Sequence, residues 1–359
     1  MAPEPSALRK ILSRYTEASA PELVRPLEDG RLQCLACGHR CRIAEGQRGV
    51  CEVRFVQGGI LRRPHGYVAG MACDPIEKKP FFHAWPGCGA LTFGMLGCDL
   101  HCPYCQNWIT SQALRDGEAG AGVEPVDPED LVEAAVRQGA RVVTSSYNEP
   151  LITADWAVEV FRRAHARGLA CAFVSNGNAT PEVLEYIRPH VDLFKVDFKC
   201  FQDESYRRLG CRSQNVLDTI RRLKELGFWV EVVTLVVPGF NDSSDELRSM
   251  AGFLSSVDPM IPWHVTAFHP DYRMTDRDRT PVEALERARD LGREVGLRYI
   301  YLGNVAGSGG EDTHCYACAH LLVRRRGFHV LENRLQGGAC PACGAAIPGR
   351  WDERSSAER

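Results

Sequence analysis

From Leu91 to Gly303 the chain alternates short apolar runs with amphipathic stretches, and this pattern restricts the fold more than any other feature. LTFGML, RVVTSSY, CAFVSNG, VDLFKVDFK, FWVEVVTLVV, PWHVTAF and RYIYLG read as strands. Between them DPEDLVEAAVRQG, ADWAVEVFRRAHARG, PEVLEYIRPH and QNVLDTIRRLKELG have helical periodicity, and further helices begin near Ser244 and Pro281. Asp127 is a candidate N-cap, Thr180 caps a helix with Pro181 in its first turn, and Gly227 is a stop. Apolar strands separated by amphipathic helices imply a parallel sheet covered on both faces, so the class is α/β. Six or seven units fit a partial (β/α)6 barrel better than a closed ring of eight, although a doubly wound sheet has the same periodicity.

The length of 359 residues suits this domain with small appendages. The expected division is an N-terminal segment over 1–90, the barrel over 91–306 and a compact C-terminal module over 312–352, with 353–359 as a frayed tail. Residues 56–90 read as irregular or short β structure. Forty-three basic against forty-six acidic residues give a net charge of −3, which offers no attraction to nucleic acid. The opening residues lack a signal-like apolar core, and the run Val232–Phe240 is broken by Thr234, Pro238 and Gly239. No membrane span and a cytoplasmic location are therefore expected.

Sixteen cysteines are too many for chance in such a chain. In a reducing compartment grouped cysteines bind metal more often than they pair as disulfides. Eleven of the sixteen fall into three tight sets; Cys73, Cys88, Cys171, Cys200 and Cys211 are scattered and read as small buried hydrophobes. In GCDLHCPYCQNW, Cys98, Cys102 and Cys105 follow the first barrel strand. Three thiolates so close can hold three corners of a cubane cluster and leave its fourth iron open to a small molecule. The plainer alternative is a zinc knuckle on Cys102 and Cys105 with two remote ligands. Near the C-terminus, Cys315, Cys318, Cys340 and Cys343 form two CxxC pairs flanking LLVRRRGFHVLENRL, whose Arg324, Arg325 and Arg326 read as a solvated ribbon face. Four thiolates make a closed structural site, a rubredoxin-like ribbon for zinc or for iron with the same ligands. Cys34, Cys37, Cys41 and Cys51 supply another four, for a second zinc or an auxiliary iron–sulfur cluster.

CxxxCxxC with Tyr104 before its last cysteine resembles the signature of radical S-adenosylmethionine (SAM) enzymes. From about Cys34 to Trp351 the chain resembles one branch, the AmmeMemoRadiSam-system enzymes, relatives of the pyruvate formate-lyase activating enzyme. The likeness lies in DPIEKKPFFH (74–83), GCDLHCPYCQNW (97–108), YNEP (147–150), PGFND (238–242), FHPDYRM (268–274) and YLGNV (301–305). It implies a radical SAM barrel with a [4Fe–4S] cluster on Cys98, Cys102 and Cys105, reductive cleavage of SAM to a 5′-deoxyadenosyl radical, and hydrogen abstraction from an unidentified substrate. By analogy with glycyl-radical activating enzymes the substrate is a partner protein. The other reading is a small molecule or a side chain modified together with Memo-like and AMMECR-like companions. An electron donor such as flavodoxin or ferredoxin is implied as well.

Ligands of a parallel barrel bind where strand ends converge. The resemblance implies that Tyr104 packs on adenine, that Asn148 and Glu149 meet the SAM ammonium, and that Asp197 and Lys199 hold its methionyl part. Ser175 and Asn176 end a strand and are candidates for its carboxylate or ribose, and His269 matches a histidine near SAM. Alternation places Phe194, Val196 and Phe198 on one face of their strand and Asp197 and Lys199 on the other. His264 lies one strand earlier and reads as a packing residue. The activating enzyme has an arginine where this chain has Val233, so the contacts of that arginine do not carry over. The bland alternatives are a helix cap for Asn148 and Glu149, a structural ion pair for Asp197 and Lys199, and a non-catalytic zinc-rich scaffold for the whole.

Overall fold

The computed structural model describes residues 5–351 except 306 and 308, so the tail over 353–359 lies outside the described residues. Its centre is an eight-stranded sheet of β1 (Gly70–Pro75), β2 (Gly89–Gly94), β3 (Val142–Ser145), β4 (Ala170–Ser175), β5 (Leu193–Asp197), β6 (Trp229–Val236), β7 (Trp263–Ala267) and β8 (Ile300–Gly303). Strands β2 to β8 are parallel and each pairs with the next in sequence, while β1 runs antiparallel along the edge of β2. This order decides what periodicity left open. A doubly wound sheet reverses direction at a switch point; here every strand is laid down on the same side of its predecessor, which curls the sheet into a partial barrel.

The connecting helices are α1 (Pro128–Arg137), α2 (Ala154–Ala166), α3 (Pro181–Ile187), α4 (Asp203–Leu209), α5 (Ser213–Glu225), α6 (Ser244–Val257) and α7 (Val282–Glu294). The expected caps form: Asp127 accepts from the Glu129 amide at 2.9 Å and Thr180 from the Val183 amide at 3.1 Å. Helix α4 was not expected. It buries only Tyr206 and Leu209, too few positions for a periodic signal, and ends where Gly210 takes φ 107°. Between sheet and helices runs a file of aromatic rings, Phe93, Phe161, Phe173, Phe194 and Phe228, with centroids 5.7–6.2 Å apart. None of the described helices is long and apolar enough to cross a membrane.

The N-terminal segment holds helix Pro5–Leu12 and seven short strands before β1, and is pinned to the barrel by Arg54. That guanidinium is buried; it pairs with Asp155 of α2 and donates to the Ile152 carbonyl at 2.8 Å and the Ser19 hydroxyl at 2.9 Å. At the other end, β9 (Thr313–His314), β10 (Leu321–Arg326) and β11 (His329–Asn333) form an antiparallel ribbon.

One expectation for this ribbon needs correction. Arg324 and Arg326 are exposed, but Arg325 is buried. It lies 4.3 Å over the Phe82 ring and donates to Thr313 Oγ1 (2.7 Å) and the Phe82 carbonyl (2.8 Å), with Glu77 at 3.5 Å. Alternation from the buried Val323 turns Arg325 inward and Arg324 and Arg326 outward, a direction that three identical side chains in a row conceal. Burial holds the Glu77 carboxyl above its usual range even beside Arg325. R325M strands that carboxylate, and denaturant unfolding is expected to show a loss of about 3–5 kcal/mol.

Candidate active site

The C-terminal ends of the parallel strands open on a cavity of ≈ 430 Å³. Its first wall is the loop after β2. Gly97 there has φ 94°, and a Cβ would lie 2.8 Å from Val53 and 3.0 Å from the Cys51 carbonyl, so only glycine turns the chain at this point. Cys98, Cys102 and Cys105 all line the cavity. The Leu100 amide donates to Cys98 Sγ at 3.4 Å, and Ser111 Oγ lies 3.2 Å from Cys105 Sγ. Burial pushes the Cys102 thiol up to about 12 and Cys98 well above its usual value. A positively charged centre bonded to the sulfurs would reverse that shift. The three sulfurs are not mutually within 4.8 Å, a spread that suits separate irons of a cluster and not one tetrahedral ion. Tyr104 also faces the cavity; its ring sits 5.6 Å from that of Phe240, and its buried hydroxyl has no hydrogen-bond partner among the described residues.

Opposite the thiols, β5 presents its charges. Phe194, Val196 and Phe198 are buried away from the cavity, and Asp197 and Lys199 line it, as the alternation required. The same alternation extends to Lys195, which the sequence reading passed over. Lys195 lines the cavity and pairs with Asp197, whose other oxygen lies 3.6 Å from Lys199. Burial raises the Asp197 carboxyl, but the two ammonium groups outweigh it and hold it below the usual range. Lys199 is held high: Asp197 and the thiols of Cys102, Cys105 and Cys98 overcome its desolvation. A second lysine facing one carboxylate leaves a net positive charge in the wall.

Glu149 and Asn148 line the third side, and part of the bland reading is realised there. Glu149 caps a short 3-10 turn through the Leu151 amide at 3.0 Å and also accepts from Ser175 Oγ (2.7 Å) and the Asn176 amide (2.8 Å). Burial, then the nearby Asp99, pushes its carboxyl up to about 8. Asn148 accepts from the Met95 amide at 3.0 Å, which ties this loop to the cysteine loop. Asn176 lines the cavity, and its side chain donates to Asp99 at 2.7 Å; Asp99, also held by Asn178 at 2.8 Å, is a buried brace beside Cys98 that its position in the motif gave no means of spotting.

Two of the expected site residues stand back. Ser175 is buried and touches Glu149 without lining the cavity, and His269 has a side chain 44% exposed. His269 Nδ1 meets Gln106 Nε2 at 3.1 Å, and it is Gln106 that reaches the cavity. His264, read as a packing residue, does line the cavity, with Nε2 2.7 Å from the buried Glu231. Phe328, from the turn between β10 and β11, completes the rim.

The outer cysteine sets differ from one another. Sulfur atoms of Cys315, Cys318, Cys340 and Cys343 all lie within 4.8 Å, with Cys315–Cys343 at 3.6 Å and Cys318–Cys340 at 3.7 Å. A tetrahedron of thiolates at the usual zinc–sulfur distance has edges of about 3.8 Å, so this quartet fits a single ion. No three sulfurs of Cys34, Cys37, Cys41 and Cys51 come so close together.

A thiol-lined, charge-bearing cavity at the strand ends of a partial barrel defines a cofactor-dependent enzyme. Residues 93–251 match the family model described as the Radical SAM superfamily. An uncharacterized protein of Methanocaldococcus jannaschii is 35% identical over 325 residues, covering 89% of this chain and 96% of its own. The pyruvate formate-lyase-activating enzyme of Staphylococcus aureus is 27% identical over 183 residues, 48% of this chain and 72% of that enzyme. Among solved structures, a domain of pyruvate-formate lyase-activating enzyme from Bacteroides vulgatus aligns with TM-score 0.40 and 21% identity, over 45% of this chain and 98% of the domain. The chain belongs to the radical SAM superfamily and is a homologue of its activating enzymes. Membership implies a [4Fe–4S] cluster and SAM.

Proposed function

We propose that the cavity binds SAM against a [4Fe–4S] cluster on Cys98, Cys102 and Cys105, and that the enzyme abstracts hydrogen from a protein substrate as an activating enzyme does. The observation that carries this reading is the convergence of three thiols, an orphaned tyrosine hydroxyl and the Lys195–Asp197–Lys199 row on one cavity. When bound, the cluster supplies the electron that splits the sulfonium of SAM into methionine and a 5′-deoxyadenosyl radical. The chain's own residues orient and shield. Lys199 sets a positive charge toward the methionyl carboxylate and the thiolates. Glu149 offers its carboxylate to the ammonium while Ser175 and the Asn176 amide fix its rotamer. Tyr104 gives an apolar face for adenine, and Asn176 stays available to ribose through the Asp99 brace. His269 acts at a remove, through Gln106. A low-potential donor such as flavodoxin or ferredoxin reduces the cluster in a cytoplasmic setting. Memo-like and AMMECR-like proteins are the companions to test as substrates, and zinc is the ion assigned to the C-terminal quartet.

Anaerobic protein loaded with iron and sulfide, given dithionite and SAM, is expected to form 5′-deoxyadenosine and methionine. A fully loaded preparation that forms neither would falsify this reading. The raised Glu149 carboxyl adds a pH signature. Its folded value near 8 lies above the ordinary carboxylate value, so the proton-linked stability is present in acid and is lost as pH rises through about 8. Binding an ammonium requires the ionised form, so below about pH 8 SAM must displace a proton. Equilibrium dialysis is expected to show SAM affinity climbing with pH and levelling near that value. E149Q should be flat in this range and ~10- to 100-fold weaker, by loss of a charge-assisted contact.

A further inference from the structure

We infer that Cys34, Cys37, Cys41 and Cys51 bind a second iron–sulfur cluster, directly behind the loop of Cys98, and not a zinc ion. The inference does not depend on what the central cavity binds. All four are free of disulfides; Cys34, Cys37 and Cys51 are buried and Cys41 is half-buried. Cys34 and Cys41 face each other across a strand pair, the Cys34 amide donating to the Cys41 carbonyl at 2.9 Å. Cys51 comes from the Gly49–Glu52 turn, whose Val50 amide donates to Cys41 Sγ at 3.4 Å. An amide directed at sulfur suits a metal-bound thiolate, whereas a patch of neutral core cysteines would gain little from it.

Spacing selects the occupant. A single zinc draws four sulfurs to edges of about 3.8 Å, as the C-terminal quartet already has. In a cubane each thiolate binds a different iron, so the sulfurs stand further apart, and neither the N-terminal four nor the central three gather within 4.8 Å as the C-terminal quartet does. The two loops are also built together. Arg115 donates to the carbonyls of Val50 and Cys98, the latter at 2.7 Å, and the Cys51 carbonyl abuts Gly97. His39 Nε2 reaches the Asp99 carbonyl at 3.0 Å.

The test is metal counting on the full chain after anaerobic loading, alongside the C98A/C102A/C105A variant. Intact protein should hold about eight irons and eight sulfides, and the triple variant about four of each, with an electron paramagnetic resonance signal after reduction. Further substitution of Cys37 and Cys51 should remove them. Intact protein with about four irons and a triple variant with none would overturn the second cluster while leaving the central one standing. So would two zinc ions per chain, with one persisting after C315A/C340A. Equal counts of about four in the intact and triple-variant chains would support the second cluster and sink the central one instead. If the triple variant fails to fold, C37A/C51A in the otherwise intact chain should lower the count by about four irons, and an unchanged count would overturn the second cluster.

Discussion

Cys102→Ala is expected to cut 5′-deoxyadenosine formation more than about a thousandfold, a barrier increase above roughly 4 kcal/mol. Two thiols would remain on the central loop, and no other cysteine among the described residues lines the cavity to replace the third. The fold should survive. Cys102 is one small side chain in a core anchored elsewhere by Trp156, Trp263 and the phenylalanine file, so thermal unfolding should move little. Chromatographic product counting with circular dichroism on the same sample separates loss of chemistry from loss of structure. K199M makes the informative companion, because it keeps all three thiols and should raise the SAM concentration needed before it lowers the limiting rate. Turnover of C102A within tenfold of the parent would mean the triplet does not carry the reaction.

The second large effect is on folding. Stripping the ion from the C-terminal quartet, or substituting Cys340, should cost on the order of 10 kcal/mol of ribbon stability. The ribbon has little else to hold it: its core is Phe82, Tyr299, Tyr301, Leu322, Val323 and Ile347 with the cysteines themselves. The loss should spread inward, because β10 delivers Arg325 to Glu77 and Tyr301 bridges His83 (2.6 Å) and Thr313 (2.9 Å). Hydrogen exchange should therefore speed up in residues 76–85 as well as in β10 and β11. Protection unchanged by chelation would show that the ribbon stands without metal.

Much of this molecule was legible in its sequence, for identifiable reasons. Each parallel strand is a short, mostly apolar run and each long helix has a clear stripe, so their order could be read directly. The curl of the sheet could not, since sequential and reversed strand orders share one periodicity. The thiol sets declared themselves by spacing. Asp197 and Lys199 were found by alternation, and Lys195 would have been found by running the same count two residues back. Asp99 and Glu231 escaped because a lone buried acid carries no pattern until its partners, Asn176 and Asn178 or His264, are seen. Arg325 was misjudged because three arginines in a row look alike although alternation turns the middle one inward, and His269 because a motif fixes neighbours in sequence and not reach in space.

Phe328 gives the ribbon a part in traffic as well as in folding. An aromatic at the tip of a hairpin shaped by four cysteines stands as one jamb of the doorway to the reacting centre. Because that hairpin is held by its four cysteines, loosening the quartet is expected to move Phe328 at the cavity rim while every central thiol stays in place.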